Sequence, residues 1–199
     1  MAVIGITGSI ASGKSTFRDI LAPLLPAQIV DADAIARNLL EESGVRTKVL
    51  AALSPAAYKS DGSPDRAEIR RIIYSDLAAK SRLEAILHPR VRKTWLEAAE
   101  LAKNEKRHLL VDIPLLFETK AASHFEIIIT VACSPGIQQA RLAARGLDPG
   151  MAEKILGTQM PAAEKIAGSS HVVWNDGKLS ALKDQAEYFV EWLRERGWD

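Results

Sequence analysis

The eight residues GSIASGKS, at positions 8–15, constrain the fold of this chain more than any other stretch. The apolar residues 2–7 lead directly into them and suit a buried strand, and residues 14–25 follow with apolar side chains at helical spacing. The stretch matches the pattern G-x-x-x-x-G-K-[ST], whose backbone N–H groups turn inward to form an anion nest. The helix that follows points the positive end of its dipole at the same place. The sequence therefore predicts a phosphate-binding loop between a strand and a helix.

The rest of the chain alternates between short apolar runs and amphipathic segments. Further strands are predicted at residues 28–30, 108–113, 126–132 and 172–174. Helices are predicted at residues 34–40, at 64–76 with Ser63 as cap, up to a break at His88-Pro89, and at 91–103, 135–145, 149–160 and 179–193. Most of the strands are uniformly apolar, which indicates an α/β fold with a parallel sheet covered on both faces.

Composition excludes several classes of protein. A chain of 199 residues suits one domain, and its formal net charge of +1 does not favour nucleic acid or a membrane surface as a partner. Cys133 is the only cysteine, so no disulfide can form within the chain. The sequence contains no candidate signal peptide and no apolar run long enough to span a bilayer. We expect a cytoplasmic protein; the sequence carries no indication of its oligomeric state.

The loop pattern assigns roles to its polar side chains. Lys14 is expected to reach the β- and γ-phosphates of a nucleotide, and the Ser15 hydroxyl to ligate Mg²⁺. No NKxD guanine-reading motif occurs in the sequence, which argues against a GTPase. The expected ligand is ATP with Mg²⁺, although no adenine-reading motif stands out and the preference for ATP over GTP stays open. The residues expected at this ATP site are Gly8, Ser9, Ile10, Ala11, Ser12, Gly13, Lys14, Ser15 and Thr16.

Three aspartates are expected at the carboxyl edge of the sheet, where ligands bind in open α/β folds. Asp31 and Asp33 follow the second predicted strand, and Asp112 ends the strand LLVD. Asp33 lies further past its strand and is the better candidate for the base that accepts a proton from an acceptor hydroxyl. Asp31 is expected to organise Mg²⁺ or the turn, and Asp112 to act on Mg²⁺ through water. The alternative for all three is a capping or turn aspartate.

Two arginines suggest a lid. Arg141 and Arg145 lie four residues apart on one predicted helix, ahead of a break at Gly146-Leu147-Asp148-Pro149. Arginines beside a flexible segment suit a lid that closes over ATP and stabilises developing charge, with Arg141 in a catalytic role. The alternative is a pair of solvated surface arginines.

In seven stretches the sequence resembles the dephospho-CoA kinase family: GITGSIASGKST, DADAIAR, DGSPDR, LEAILHPRV, DIPLLFE, the QQARLAARG helix leading to Gln159, and VVWNDG. The phosphate loop is common to many kinases, whereas HPRV and DIPLLFE in this order after DADAIAR are more specific. The resemblance implies phosphorylation of the ribose 3′-hydroxyl of dephospho-CoA by ATP to give coenzyme A, the final step of coenzyme A biosynthesis. It also implies a three-layer P-loop kinase fold.

Within residues 1–199 as one domain, the resemblance implies three parts. Residues 1–33, 105–135 and 170–199 would form the nucleotide-binding core, residues 34–104 a helical region that binds coenzyme A, and residues 138–162 a small lid. Asp33 would be the base, with Lys14 and Arg141 at the phosphates. The residues implied near the acceptor are Asp31, Asp33, Arg37, His88, Pro89, Leu115 and Leu116.

Some positions depart from the family pattern. Ser9 and Ala11 stand where glycines are common, Lys154 stands where an arginine is usual, and Ser170-His171 replaces an acidic pair. Two other functions fit parts of the sequence: another hydroxyl-acceptor kinase of the shikimate type, and a nucleotide-binding regulatory module without turnover. The long segment 41–107 and HPRV favour a large acceptor over the first. Lys14, Ser15, Asp33 and Arg141 together argue against the second, because binding alone needs no base.

Overall fold

In a computed structural model that describes residues 1–198, five parallel strands form one sheet in the order β2-β3-β1-β4-β5. The strands are β1 (Val3–Thr7), β2 (Ala27–Asp31), β3 (His108–Asp112), β4 (Ile127–Ala132) and β5 (His171–Trp174). The helices are α1 (Lys14–Leu21), α2 (Ala32–Leu39), α3 (Ser43–Ala52), α4 (Arg66–Ser75), α5 (Leu77–Asn104), α6 (Pro135–Ala144), α7 (Pro149–Gly157), α8 (Ala162–Ala167) and α9 (Leu179–Glu195), with short 3₁₀ turns at Pro55–Ala57 and Ala122–His124. The predicted α/β class with a parallel sheet is confirmed.

The chain divides into two compact units, Met1–Asp31 with Glu97–Asp199, and Ala32–Leu96. The first unit holds the whole sheet. One face of the sheet carries α1 and α9, whose Phe17 and Phe189 are fully buried beside Ile4 and Ile129. The last helix therefore packs its apolar face into the core. On the opposite face Leu116 and Phe125 pack directly against Gly5. A side chain at this position would not fit, because its Cβ atom would lie 2.6 Å from Leu116 Cδ1.

The second unit is helical. It contains α2, α3, α4 and the first part of α5, around buried side chains that include Val45, Val49 and Ile69. The Tyr58 hydroxyl donates a hydrogen bond of 2.9 Å to the carbonyl oxygen of Leu40, which ties the end of α2 to the segment before α4.

Four predicted helix boundaries are wrong, and proline accounts for most of the errors. The first helix ends at Leu21 and not at residue 25, because Pro23 has no N–H to donate to the helix. The helix predicted to begin at Pro64 begins at Arg66, where the Asp65 carboxylate accepts from the Glu68 N–H at 3.0 Å. Ser63 instead bonds the Asp61 side chain.

The break predicted at His88-Pro89 is absent, since α5 runs through Pro89 without ending. In this region the Arg90 guanidinium donates 2.9 Å to the Ile86 carbonyl, so one carbonyl of this turn gains a side-chain donor. Conversely, the helix predicted at residues 149–160 ends earlier, at Gly157, and α8, which was not predicted, follows Pro161.

His171, on the edge strand β5, gives the fold a pH-dependent contact. Its ring lies 4.9 Å from the Phe189 ring and 5.6 Å from the Trp192 ring, measured between centroids. Burial among these rings lowers the pKa of His171 below its ordinary value of 6.5.

We predict that His171 makes the protein less stable as the pH falls below about 6.5. In that range the unfolded chain binds a proton at His171 that the folded chain resists, so the free energy of unfolding declines until the lowered folded-state pKa is reached. Urea unfolding at pH 7.5 and pH 5.5 measures the difference. The His171→Leu variant should lose less stability between the two pH values than the wild type; an identical loss would contradict the prediction.

Candidate active site

The glycine-rich loop connects β1 to α1 as the sequence predicts, and its backbone bends tightly. The Ser12 N–H donates 3.1 Å to the Ser9 carbonyl, Ala11 has a left-handed φ of 62°, and Gly13 has a φ of 93°. Successive residues of alternating handedness turn their N–H groups toward one point, which is the geometry of an anion nest. Gly13 directly precedes α1, so the helix begins at this point.

Gly13 is required by its surroundings as well as by its φ angle. A Cβ atom at this position would lie 1.9 Å from the side-chain nitrogen of Asn175. That buried nitrogen donates 2.8 Å to the Ser12 carbonyl and so fastens the loop to the segment after β5. No role for Asn175 is predicted from the sequence, although the residue lies in VVWNDG, one of the stretches that carry the family resemblance.

Two carboxylates and two cations meet beside the loop. Asp31 and Asp112 end neighbouring strands and are paired in register. The Lys14 ammonium bonds Asp112 Oδ1, while Arg18 donates to Asp31 Oδ2 at 2.9 Å and to Asp112 Oδ2 at 3.0 Å. Asp112 is therefore held through both oxygens. Two cationic side chains therefore form ion pairs with two carboxylates at the carboxyl edge of the sheet.

Arg18 was missed by the sequence analysis. Its only signal is its spacing: it follows Lys14 by four residues and so lies on the same face of α1. No part of the loop pattern specifies an arginine there.

Arg141 lies against the loop, as part of α6. Its guanidinium donates to the carbonyl oxygens of Ala11 at 3.3 Å, Ser12 at 3.2 Å and Asn175 at 2.8 Å. Arg145 lies one turn further along and is exposed. Both arginines border an open cavity of about 250 Å³, whose lining is Ala11, Gly13, Thr16, Arg141, Arg145, Asn175, Gly177, Leu179 and Leu182. The structure thus brings the two predicted arginines and Thr16 to one cavity beside the loop.

A buried lysine joins the segment after β3 to the segment after α7. Lys165 is fully buried, and its ammonium donates 2.7 Å to the Pro114 carbonyl and pairs with Glu118 at 2.9 Å. Burial lowers the pKa of Lys165, and the Glu118 carboxylate opposes that shift. The same Glu118 oxygen accepts the Met160 N–H at 2.8 Å. The sequence analysis did not predict this ion pair.

Four of the predicted acceptor residues lie in the helical unit. Asp33 is in the first turn of α2 and Arg37 in its last turn, while His88 and Pro89 are adjacent within α5. Asp33 acts electrostatically on Tyr74: burial raises the pKa of Tyr74, Arg70 opposes that shift and Asp33 adds to it. Burial also lowers the pKa of His88, an effect that Glu84 opposes.

The other three acceptor candidates lie in the first unit, Asp31 at the end of β2 and Leu115 and Leu116 after β3. Leu115 is half-buried, whereas the Leu116 side chain is fully buried and packs toward Gly5. Leu116 could therefore present only its backbone to a ligand.

Residues 1–198 contain no cluster of three or more His, Cys, Asp or Glu side chains suited to hold a metal ion. Over the same residues, no helix combines the length and the apolar character needed to cross a membrane.

Comparison with known proteins places this geometry in a family. The profile described as dephospho-CoA kinase matches residues 2–181. A dephospho-CoA kinase of Albidiferax ferrireducens is 39% identical over 184 residues, which cover 90% of this chain and 86% of the relative. The chain belongs to the dephospho-CoA kinase family.

Solved structures agree with this membership. The structure titled TT1252 from Thermus thermophilus has a TM-score of 0.77 and 31% identity, and covers 96% of this chain and 97% of its own. The dephospho-CoA kinase of Campylobacter jejuni has a TM-score of 0.71 and 26% identity, with 98% of each chain covered. The P-loop kinase fold expected from the sequence is confirmed.

Two of the positions that depart from the family pattern, Ala11 and Lys154, can be described in the structure. Ala11 adopts the left-handed region that a glycine would adopt at lower cost, and it is buried. Lys154 lies on the exposed side of α7, so it makes no buried contact in place of the usual arginine.

We predict that Lys14→Ala weakens ATP binding and lowers turnover by at least about a hundredfold, because the variant removes a charge aimed at the phosphates. The fold should survive with reduced stability, because Asp112 loses one cationic partner and keeps Arg18. Isothermal titration with ADP and Mg²⁺ measures the binding, and circular dichroism measures the fold. The control is Lys183→Ala, which removes an exposed lysine on α9. Unchanged turnover in Lys14→Ala would contradict the assignment of the loop.

Proposed function

We propose that the protein transfers the γ-phosphoryl group of ATP to the ribose 3′-hydroxyl of dephospho-CoA, giving ADP and coenzyme A. The observation that carries the proposal is the placement of Lys14 beside two strand-end carboxylates, in a chain that matches the dephospho-CoA kinase profile over residues 2–181. A P-loop kinase with a hydroxyl acceptor uses a phosphate loop and a carboxylate that can take the acceptor proton, and the chain has residues of both kinds.

The phosphate loop would bind the nucleotide through its backbone. Inward N–H groups and the N-terminus of α1 supply positive potential without a mobile charge. Lys14 would exchange its contact with Asp112 for the β- and γ-phosphates, and Arg141 and Arg145 would stabilise charge that develops on the phosphoryl group. Thr16 borders the same cavity and would contact the nucleotide beside the loop.

The donor set at the loop fits a magnesium ion. Ser15 offers an exposed hydroxyl at the start of α1, and Asp112 offers a carboxylate at the end of β3. Mg²⁺ prefers such oxygen ligands and keeps several waters, so Ser15 would bind directly and Asp112 through water. The ion would neutralise charge between the β- and γ-phosphates.

The acceptor proton would go to Asp33. The 3′-oxygen forms the new bond to phosphorus, the bond between phosphorus and the oxygen of ADP breaks, and the Asp33 carboxylate takes the hydroxyl proton. Arg18 donates to the Asp31 carboxylate at 2.9 Å and holds it at the end of β2. Asp31 would orient the acceptor. Arg37, His88, Pro89, Leu115 and the backbone of Leu116 would bind the rest of the acceptor.

The purified protein with ATP and Mg²⁺ tests the proposal against a panel of acceptors. Dephospho-CoA should be consumed, with one phosphoryl group added by mass and a new 3′-phosphomonoester signal by phosphorus NMR. Shikimate, AMP and small polyols should be poor acceptors. Efficient transfer to one of these, with dephospho-CoA left unchanged, would overturn the proposal. ADP binding without transfer to any acceptor would favour a regulatory module.

We predict that Asp33→Asn lowers turnover by about 10²- to 10³-fold while the affinity for ATP changes little. The substitution keeps the shape of the side chain and removes the base, and positioned proton transfer is commonly worth about 10²- to 10⁴-fold. The loose transition state of phosphoryl transfer places the loss at the lower end. Steady-state kinetics with dephospho-CoA measure it.

The matched control is Asp65→Asn, which removes a carboxylate that caps α4 in the same helical unit. This control should keep its turnover and lose little stability, because asparagine caps a helix about as well as aspartate. If Asp33→Asn behaves in the same way, Asp33 stabilises the start of α2 and is not the base.

A further inference from the structure

Ile10, near the tip of the phosphate loop, has both of its backbone polar groups bonded to glutamine side chains. The Gln159 carbonyl oxygen accepts the Ile10 N–H at 2.9 Å, and the Gln138 amide nitrogen donates to the Ile10 carbonyl at 2.7 Å. Chemistry fixes the orientation of each amide, because an N–H can only donate and a carbonyl can only accept.

The two glutamines stand at opposite ends of one segment of the chain. Gln138 lies on α6, three residues before Arg141, and Gln159 follows the end of α7. The segment between them contains Arg141 and Arg145. The loop and this segment are thus joined at both ends through the same loop residue.

Gln159 is held in turn by a buried contact. The next residue, Met160, donates its N–H to Glu118, and Glu118 is paired with the fully buried Lys165. This chain of contacts fixes the backbone beside Gln159 to the segment after β3. Gln159 therefore accepts the Ile10 N–H from a backbone that is itself held in place.

The contact at the Ile10 carbonyl determines where the next N–H points. In a trans peptide the carbonyl and the following N–H point in opposite directions. Gln138 bonds the Ile10 carbonyl from α6, so the Ala11 N–H of the same peptide points away from α6. Ala11 follows this peptide with a left-handed φ of 62°, a conformation that alanine does not favour.

We propose that Gln138 and Gln159 are positioning residues that hold Ile10 from both ends of the α6–α7 segment, and so orient the Ala11 N–H toward the nucleotide phosphates. The proposal rests on the proposed function only in taking the ligand to be a nucleotide. No acceptor enters it, so it can be tested whatever the acceptor is.

The test measures ADP affinity in the presence of Mg²⁺ by isothermal titration. Gln138→Leu and Gln159→Leu each remove one hydrogen bond at nearly constant volume, and each should weaken ADP binding about five- to tenfold. The double variant should lose less than the product of the two single losses, because both bonds hold one residue. The control is Gln139→Leu, the exposed neighbour of Gln138, which should bind ADP like the wild type.

Glutamate variants separate this role from general support of the fold. Gln159→Glu keeps an oxygen to accept the Ile10 N–H, whereas Gln138→Glu loses its donor and places a carboxylate against the Ile10 carbonyl. Both add the same negative charge. We expect Gln138→Glu to weaken ADP binding at least about fivefold more than Gln159→Glu, with melting temperatures alike.

The proposal is overturned if both leucine variants bind ADP like the wild type, or if the two glutamate variants are equally affected. It is also overturned if the loss of affinity only follows a loss of thermal stability. A wild type that binds ADP but leaves dephospho-CoA unchanged would contradict the proposed function and leave these binding results interpretable.

Discussion

The nearly buried carboxylate of Asp112 is the constraint around which the site is arranged. Its side chain is only 2% exposed at the end of β3, and an ionised group so placed is unfavourable unless cations face it. Lys14 and Arg18 meet this need from one face of α1. The end of β3, the length of the loop and the rotation of α1 are therefore linked, since a change in any one would leave a charge without its partner.

The carbonyl groups and the N–H groups of the phosphate loop have different partners. Its carbonyl groups are taken by the protein: Arg141 and Asn175 bind the Ser12 carbonyl, and Gln138 binds that of Ile10. Its N–H groups, apart from those of Ile10 and Ser12, which the protein already bonds, are the groups suited to phosphate. With the carbonyls held outward, the peptide planes are already oriented before a nucleotide arrives, which lowers the cost of ordering the loop on binding.

The sequence predicts the sheet and the loop because their signals are local. Uniformly apolar strands and G-x-x-x-x-G-K-[ST] lie within a few neighbouring residues, and the register that pairs Asp31 with Asp112 follows from parallel strands that end together. Helix ends were less predictable. Pro23 was overlooked as the residue that ends α1, and Pro89 does not interrupt α5. The contacts of Arg18, Asn175 and Lys165 were not predictable, since each joins residues distant in the sequence or depends on helix phase.

The unequal exposure of the charges has a consequence for ionic strength. Lys14 and Asp112 are 12% and 2% exposed, so mobile salt ions cannot approach their pair closely and screen it weakly. Arg145 is exposed, and dissolved ions screen its field within about 10 Å at 0.1 M salt. Rising salt concentration should therefore weaken the attraction of Arg145 for an approaching nucleotide first. The ion pair of Lys14 and Asp112 at the loop should stay nearly unchanged. The rate at which an anionic nucleotide finds the site would then vary with salt more than its rate of departure.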